Sequence, residues 1–316
     1  WKNLLLQNNS SSDISPTAGQ MPRLLGLAQA SKIYRQVETT DSTNFSKSGN
    51  EVAWGTIGNA STSEGLFFET INAAGVLQVP MVISVWDDEY GISVHAKHQT
   101  TKEDISKILA GFQRDDDDNG YEIIKVNGWD YPALVDAYEK AGKIAREEHV
   151  PVLVHVVELT QPQGHSTSGS HERYKNEERL QWERDNDCNL KFRNWLIDQG
   201  LSTDEELSQI EKELKKKVRD GKKAAWEAFL KPIREEKVTV LNLITTISKQ
   251  SANSSFITPV IENLTDNKEP LKSDILGAAR KVLRITIGES IAERPSLQNW
   301  VNNYLQKTQP SYSAHL

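Results

Sequence analysis

Two short segments of this chain carry the residue types needed to bind an anion together with a divalent cation. One is Gly58-Asn-Ala-Ser-Thr-Ser-Glu-Gly65 and the other is Trp86-Asp-Asp-Glu-Tyr-Gly-Ile-Ser93. In the first, Gly58 lets backbone come close to a ligand. The amides after it are expected to open a helix whose N-terminal dipole favours negative charge. Asn59 and Asp88 then offer hard oxygens from the two segments. Mg²⁺ suits such a pair, because it takes one or two protein oxygens and fills its shell with phosphate oxygens and water. The expected chemistry is a Mg²⁺-bridged phosphate or diphosphate. Taken singly, each segment also reads as plain structure: a capped turn before a helix, and a solvated acidic pair after a strand. Their joint placement favours a site.

That placement depends on the elements around them. Residues 51–57 form a strand candidate, 64–74 have helical spacing with Ser61 or Ser63 available as cap, and 80–86 are a continuous apolar run, the pattern of a strand buried on both faces. A helix is expected over 103–112, a strand over 121–126, a helix over 131–147 and a strand over 151–157. Strand and helix in this rhythm imply a parallel sheet with right-handed crossovers, an α/β fold flanked by helices. Both segments then leave the carboxyl ends of consecutive strands, where open parallel sheets bind ligands. Upstream, Met21–Ala30 reads as a short helix starting near Pro22. Downstream, Gln161–Tyr174 is a mobile loop by composition, followed by charged helices over 176–199 and 203–232, a polar connector over 247–272, and helices over 273–285 and near 296–306.

Composition removes several function classes. The 316 residues carry 37 Lys and Arg against 44 Asp and Glu, a formal charge of −7, which argues against nucleic-acid binding through a basic surface. No apolar run approaches the roughly 18 residues of a membrane span. The one cysteine, Cys188, excludes an intrachain disulfide and a cysteine-built metal site. Charged and hydrophobic fractions of 26% and 37% fit a cytoplasmic protein. Trp1 stands where an initiator methionine would, so the chain is expected to be a piece of a longer polypeptide. Among the histidines, His155 alternates within a strand and reads as a satisfied sheet-face residue. His171 reads as solvated. His165 follows Gly164 at the end of the fourth strand, on the ligand side, and its residues alone leave function and accident equally open.

The phrases GTIGNASTSEG, ETINAAGVLQVP and SVWDDEYGISV resemble the α subunit of the thiamine diphosphate-dependent decarboxylating component of 2-oxo acid dehydrogenase complexes, in its branched-chain (2-oxoisovalerate) form first and its pyruvate form next. The upstream ISPTAGQMPRLLGLAQA resembles the family's cofactor segment, and GHSTSGSHERY its active-site loop. The resemblance spans roughly residues 11–235. Residues 267–316 look like the start of the β half, implying a fused α–β polypeptide. The implied organisation is a thiamine diphosphate-binding domain over 1–235, a linker over 236–266, and the opening of a second, pyrimidine-binding α/β domain over 267–316.

By the same resemblance, Asn59 and Asp88 with the Tyr90 carbonyl would bind Mg²⁺, and Gly58, Ala60 and Ser61 would hold the diphosphate. Ser15 and Thr17 would contact the aminopyrimidine side, and His165 would assist reaction with substrate or lipoyl group. Three positions depart from the family pattern. Asn59 stands where an acid is usual, Asp88 where Asn is usual, and Trp86 where a basic phosphate contact is often found. One carboxylate is thus kept, on the other segment. The implied activity is oxidative decarboxylation of a 2-oxo acid with acyl transfer to the lipoyl group of a dihydrolipoamide acyltransferase, in a fused-chain dimer equivalent to α2β2. The family's carboxylate that activates the aminopyrimidine belongs to the β half, so this chain is expected to hold diphosphate without being active alone. A transketolase-like transfer shares the cofactor motif, but the ETINAAGVLQVP context speaks against it. A cofactor-free scaffold keeping the fold stays open, with Asn59 as its best support.

Overall fold

A computed structural model describes residues 16–37, 45–116, 119–165 and 170–312 of the chain. Ser15, expected at the cofactor, and Ser166, Thr167 and Ser168 of the polar loop lie outside the described residues. Pro22 sits in the first turn of α1 (Met21–Gln36), where its missing N–H costs nothing and its fixed φ suits the helix. β1 (Ala53–Gly58), α2 (Gly65–Leu77) and β2 (Met81–Trp86) follow, then a two-stranded ribbon of β3 (Tyr90–Gly91) and β4 (Val94–His95). After them come α3 (Ile105–Ile108), β5 (Glu122–Asn127), α4 (Tyr131–Glu148) and β6 (Val152–Val157). The four long strands make one parallel sheet in the order β1-β2-β6-β5.

β2 and β6 are central and buried on both faces, as their largely apolar runs, broken only by Ser84 and His155, favour. Met81, Ile83 and Val85 pack with Phe67 and Ile71 of α2 and with Met21 and Leu24 of α1. Val82, Val152 and Val154 pack on the other face with Ala137, Ala141 and Ile144 of α4. The sheet is therefore sandwiched between helices, and its register sets Gly58 beside Trp86.

Three local expectations differ from the structure. The helix expected over 103–112 is cut to the single turn α3, between short 3₁₀ turns. The Asp104 carboxylate caps it by accepting from the Lys107 amide. Tyr121 N–H then donates to the Phe112 carbonyl and Arg114 N–H to the Tyr121 carbonyl, drawing the chain into β5 instead of prolonging the helix. Neither Ser61 nor Ser63 caps α2, since its N-cap residue is Glu64 without a side-chain bond. Ser63 Oγ donates instead to the Gln99 carbonyl. The residues expected as a linker over 236–266 are largely helical.

α5 (Glu177–Asp185) and α6 (Cys188–Asp198) close a first compact unit, residues 1–204, and a second unit covers 205–316. The second consists, in its described residues, of α7 (Asp204–Gln250), α8 (Ser254–Asp266), α9 (Lys272–Ile285) and α10 (Arg294–Tyr312). Val240, Ile244, Ile247, Ile257, Val260, Ile275 and Val282 form its core. The spacing 240, 244, 247 and 257, 260, 264 is helical, and this apolar stripe prevails over the Ser, Thr and Asn between them. Among the described residues no helix is long and apolar enough to cross a membrane.

Ile83 is fully buried at the centre of β2. We expect Ile83→Ala to cost about 2–5 kcal/mol of stability, read from urea unfolding of the full-length protein. A loss well under 1 kcal/mol would show that β2 is not the packed centre of the sheet.

Candidate functional site

The site grows from the register of β1 and β2. Because Gly58 and Trp86 are paired neighbours, the residues after them emerge side by side at the carboxyl edge. Asn59–Ser63 curl into one 3₁₀ turn. This replaces the α-helical start expected directly after Gly58. The second segment makes a tight turn, with Glu89 N–H donating to Asp87 Oδ1 at 2.8 Å and Tyr90 N–H to Asp88 Oδ1 at 3.1 Å. The two segments touch: a Cβ added to Gly91 would fall 2.6 Å from the Ala60 Cβ. Only glycine permits that approach.

A cleft of about 320 Å³ opens at this edge. Thr17, Gln20, Gly58, Ser61 and Trp86 line it, so the structure unites three of the residues expected at the cofactor, Thr17, Gly58 and Ser61. A Cβ at Gly58 would meet nothing within 4 Å and would stand in open space. No Lys or Arg belongs to the described lining. Trp86 is 53% exposed, while its indole N–H is turned away to donate to Ser84 Oγ at 2.9 Å. Ser84 Oγ also bonds the Tyr138 hydroxyl, which fixes the ring.

The candidate metal ligands are built differently. Asn59 is buried, and its side-chain amide forms no hydrogen bond among the described residues. Its amide oxygen is therefore available as a neutral donor beside the Gly58 edge. Asp88 spends Oδ1 on the Tyr90 amide and leaves Oδ2 open. Burial raises the Asp88 pKa above the usual carboxylate range, against the opposing pull of the Tyr90 amide and of Lys175. An ionised carboxylate held at such a cost fits a place for a cation. No group of three or more acidic, His or Cys side chains is arranged for a metal among the described residues. Two protein oxygens with phosphate are what Mg²⁺ needs, so the donor set fits without one.

Some of the residues beneath and beside the turn were not singled out by the sequence. Asp87 is buried and accepts at 2.9 Å from His155 Nε2–H. The opposite ring nitrogen of His155, Nδ1, hydrogen-bonds Ser106 Oγ at 2.7 Å. His155 is thus the satisfied sheet residue expected, and it also steadies the start of the turn. His165 is exposed. It follows Gly164, whose φ of +67° and close neighbour His171 both demand glycine. The Tyr174 hydroxyl bonds the His165 backbone, and the Tyr174 ring lies 5.6 Å from that of Tyr90. His165 is therefore linked to the Asp88 turn through Tyr174. A signal for Tyr174 existed in its place as the first large apolar residue after the polar loop. Asp87 belonged to the acidic pair that also reads as solvated, and burial corrects that reading for it; Ser106 gave no signal.

The sequence profile of the dehydrogenase E1 component family matches residues 6–233. Among similar proteins, the mitochondrial 2-oxoisovalerate dehydrogenase subunit alpha 1 of Arabidopsis thaliana is 27% identical over 223 residues, 70% of this chain and 43% of that protein. The 2-oxoisovalerate dehydrogenase subunit alpha of Bacillus subtilis (strain 168) is 26% identical over 191 residues, 60% of this chain and 52% of its own length. The pyruvate dehydrogenase E1 component subunit alpha of Acholeplasma laidlawii is 29% identical over 199 residues, 62% and 51% of the two chains. The chain spans about half the length of the curated relatives it matches.

A carboxyl whose folded pKa lies above its unfolded value adds stability below the unfolded pKa and loses it as pH rises through the folded one. Ionising Asp88 therefore costs the ligand-free fold. Asp88→Asn keeps an oxygen for the Tyr90 amide and removes the charge. We expect it to hold or raise the melting temperature of the ligand-free full-length protein at pH 7. A fall of several degrees would contradict the strained-charge account.

Proposed function

The chain belongs to the dehydrogenase E1 component family, and on that premise we propose that it is the diphosphate-binding α-type part of a thiamine diphosphate-dependent 2-oxo acid dehydrogenase. Its reaction is oxidative decarboxylation of a 2-oxo acid, with the acyl group passed to the lipoyl group of a partner dihydrolipoamide acyltransferase. A branched-chain acid is the first choice on the sequence resemblance, with pyruvate next. The similar proteins include both kinds. The fused chain pairs with a second copy in an α2β2-like assembly. A cytoplasmic setting accords with the free Cys188 and the charged surface.

The observation that carries the reading is the pair of facing turns. The Asn59 amide, which makes no hydrogen bond among the described residues, and a carboxylate held against its solvation cost stand at the ends of adjacent strands, beside a cleft open at Gly58. In this reading Asn59 and Asp88 with the Tyr90 carbonyl hold Mg²⁺. Gly58, Ala60 and Ser61 bound the diphosphate, and Ser15 and Thr17 the aminopyrimidine side. The indole of Trp86 walls the cleft and excludes water. With no Lys or Arg in the described lining, charge neutralisation of the diphosphate rests on the metal. His165 supplies an imidazole to the substrate or lipoyl group. When bound, thiamine diphosphate supplies the nucleophilic carbon and the electron sink on which loss of carbon dioxide depends.

A cofactor-free scaffold is the second reading, favoured by Asn59 alone. Calorimetric titration of full-length protein with thiamine diphosphate and Mg²⁺ separates the two. We expect Asp88→Ala to weaken binding by more than about 100-fold, above the range for removing a supporting residue, and Asn59→Ala by about tenfold. Asn59→Asp restores a usual acidic ligand and should bind Mg²⁺ at least as tightly as the native chain. Unchanged affinity and Mg²⁺ dependence in Asp88→Ala would favour the scaffold.

A further inference from the structure

The turn that carries Asp88 is held in an unfavourable backbone conformation by a cation from α5. Glu89 has φ +67° and Ile92 φ +59°, in the left-handed region that residues with a Cβ rarely adopt. Hydrogen bonds from the Glu89 and Tyr90 amides to Asp87 and Asp88 support the turn from within. Arg179 supports it from outside. Its Nη2 donates to the Asp88 carbonyl at 3.0 Å, and its Nη1 pairs with the Glu89 carboxylate. Its guanidinium lies 5.6 Å from the Tyr90 ring and 4.7 Å from the Trp182 ring.

The guanidinium is itself fixed. Arg179 Nε donates to Glu183 Oε1 at 3.0 Å, and Lys175 Nζ donates to the same oxygen at 2.7 Å. Glu183 is fully buried and Lys175 is 4% exposed, so this is no solvated pair on a surface helix. Lys175 also stands 5.0 Å over the Tyr90 ring. A planar fork reaching a carbonyl, a carboxylate and an anchoring carboxylate at once is geometry that arginine provides and lysine cannot.

We propose that Arg179 is a positioning residue for the cation site: it locks the Asp88–Tyr90 turn in the conformation in which those residues act as ligands, with Glu183 fixing the guanidinium. The inference rests on the reading of Asp88 as a metal ligand. It also joins the metal turn to the stretch after the polar loop, because Asn176, which caps α5 by accepting from the Arg179 amide at 2.8 Å, follows directly on Tyr174 and Lys175.

The test uses full-length protein, Mg²⁺ titration calorimetry in the presence of thiamine diphosphate, and amide hydrogen exchange at Glu89 and Tyr90 without ligand. We expect Arg179→Met to weaken apparent Mg²⁺ affinity about tenfold or more and to speed exchange at both amides. Adding Glu89→Gly relieves the left-handed strain, so the double variant should regain a clear part of the lost affinity. A packing role for Arg179 predicts no such rescue. Position 89 gives a comparison that does not depend on Arg179→Met folding. Glu89→Ala keeps the strain and loses the contact, so it should bind Mg²⁺ more weakly than Glu89→Gly. Native affinity and exchange in Arg179→Met, or equal binding by the Ala and Gly variants, overturns the proposal while leaving the site reading intact. Native protein that binds no Mg²⁺-thiamine diphosphate overturns the site reading and this role with it.

Discussion

The parallel pairing of β1 with β2 is the constraint on which the rest depends. It sets Gly58 beside Trp86, and every candidate ligand is then placed by a few residues of chain. Two strands joined by one helical crossover must present their following turns at the same edge. Burial of β2 on both faces fixes its register, since a slip by one residue would exchange Ile83 and Val85 for Val82 and Ser84 between the two cores. The hydrophobic core and the site are thus specified by the same alternation.

The site is assembled from groups that the fold alone does not favour. Burial raises the Asp88 pKa and so disfavours its charge, and Glu89 is left-handed. Compensation comes from nearby polar groups. His155 and Ser106 steady Asp87 from below the sheet edge, while Arg179 and Glu183 of α5, with Lys175 just before it, brace the turn. Strain concentrated in one short turn, surrounded by groups that over-determine it, is the pattern of a functional site. Trp86, at the position where the resemblance implies a basic phosphate contact, fits the same logic. Without a Lys or Arg in the described lining of the cleft, the balancing charge for a bound diphosphate would fall to the metal.

Much of the first unit was legible in the sequence. The apolar runs at 80–86 and 151–157 are β2 and β6 within one or two residues, and Pro22 marked α1. Gly58, Ser61 and Thr17, expected at the cofactor, line one cleft. What failed to show was structure set by contacts distant in sequence. The break after α3 follows from pairing with Tyr121, and no local propensity signals it. Ser61 and Ser63 have the chemistry of caps, yet one lines the cleft and the other bonds Gln99. Arg179 and Glu183 looked like alternating surface charges, because four-residue spacing on a helix says nothing about what packs over it. In the second unit, polar composition near 251–255 hid the apolar period of α8.

The central claim is that a divalent cation sits between the turns at the ends of β1 and β2. Crystals of the full-length protein grown with thiamine diphosphate and Mn²⁺ in place of Mg²⁺ test it directly, because Mn²⁺ is located by its anomalous scattering. The account predicts one peak about 2.1 Å from an Asp88 carboxylate oxygen and the Asn59 side-chain oxygen, with phosphate oxygens completing the shell. A cofactor bound with its metal elsewhere, or bound at this cleft with no metal between Asn59 and Asp88, would contradict it.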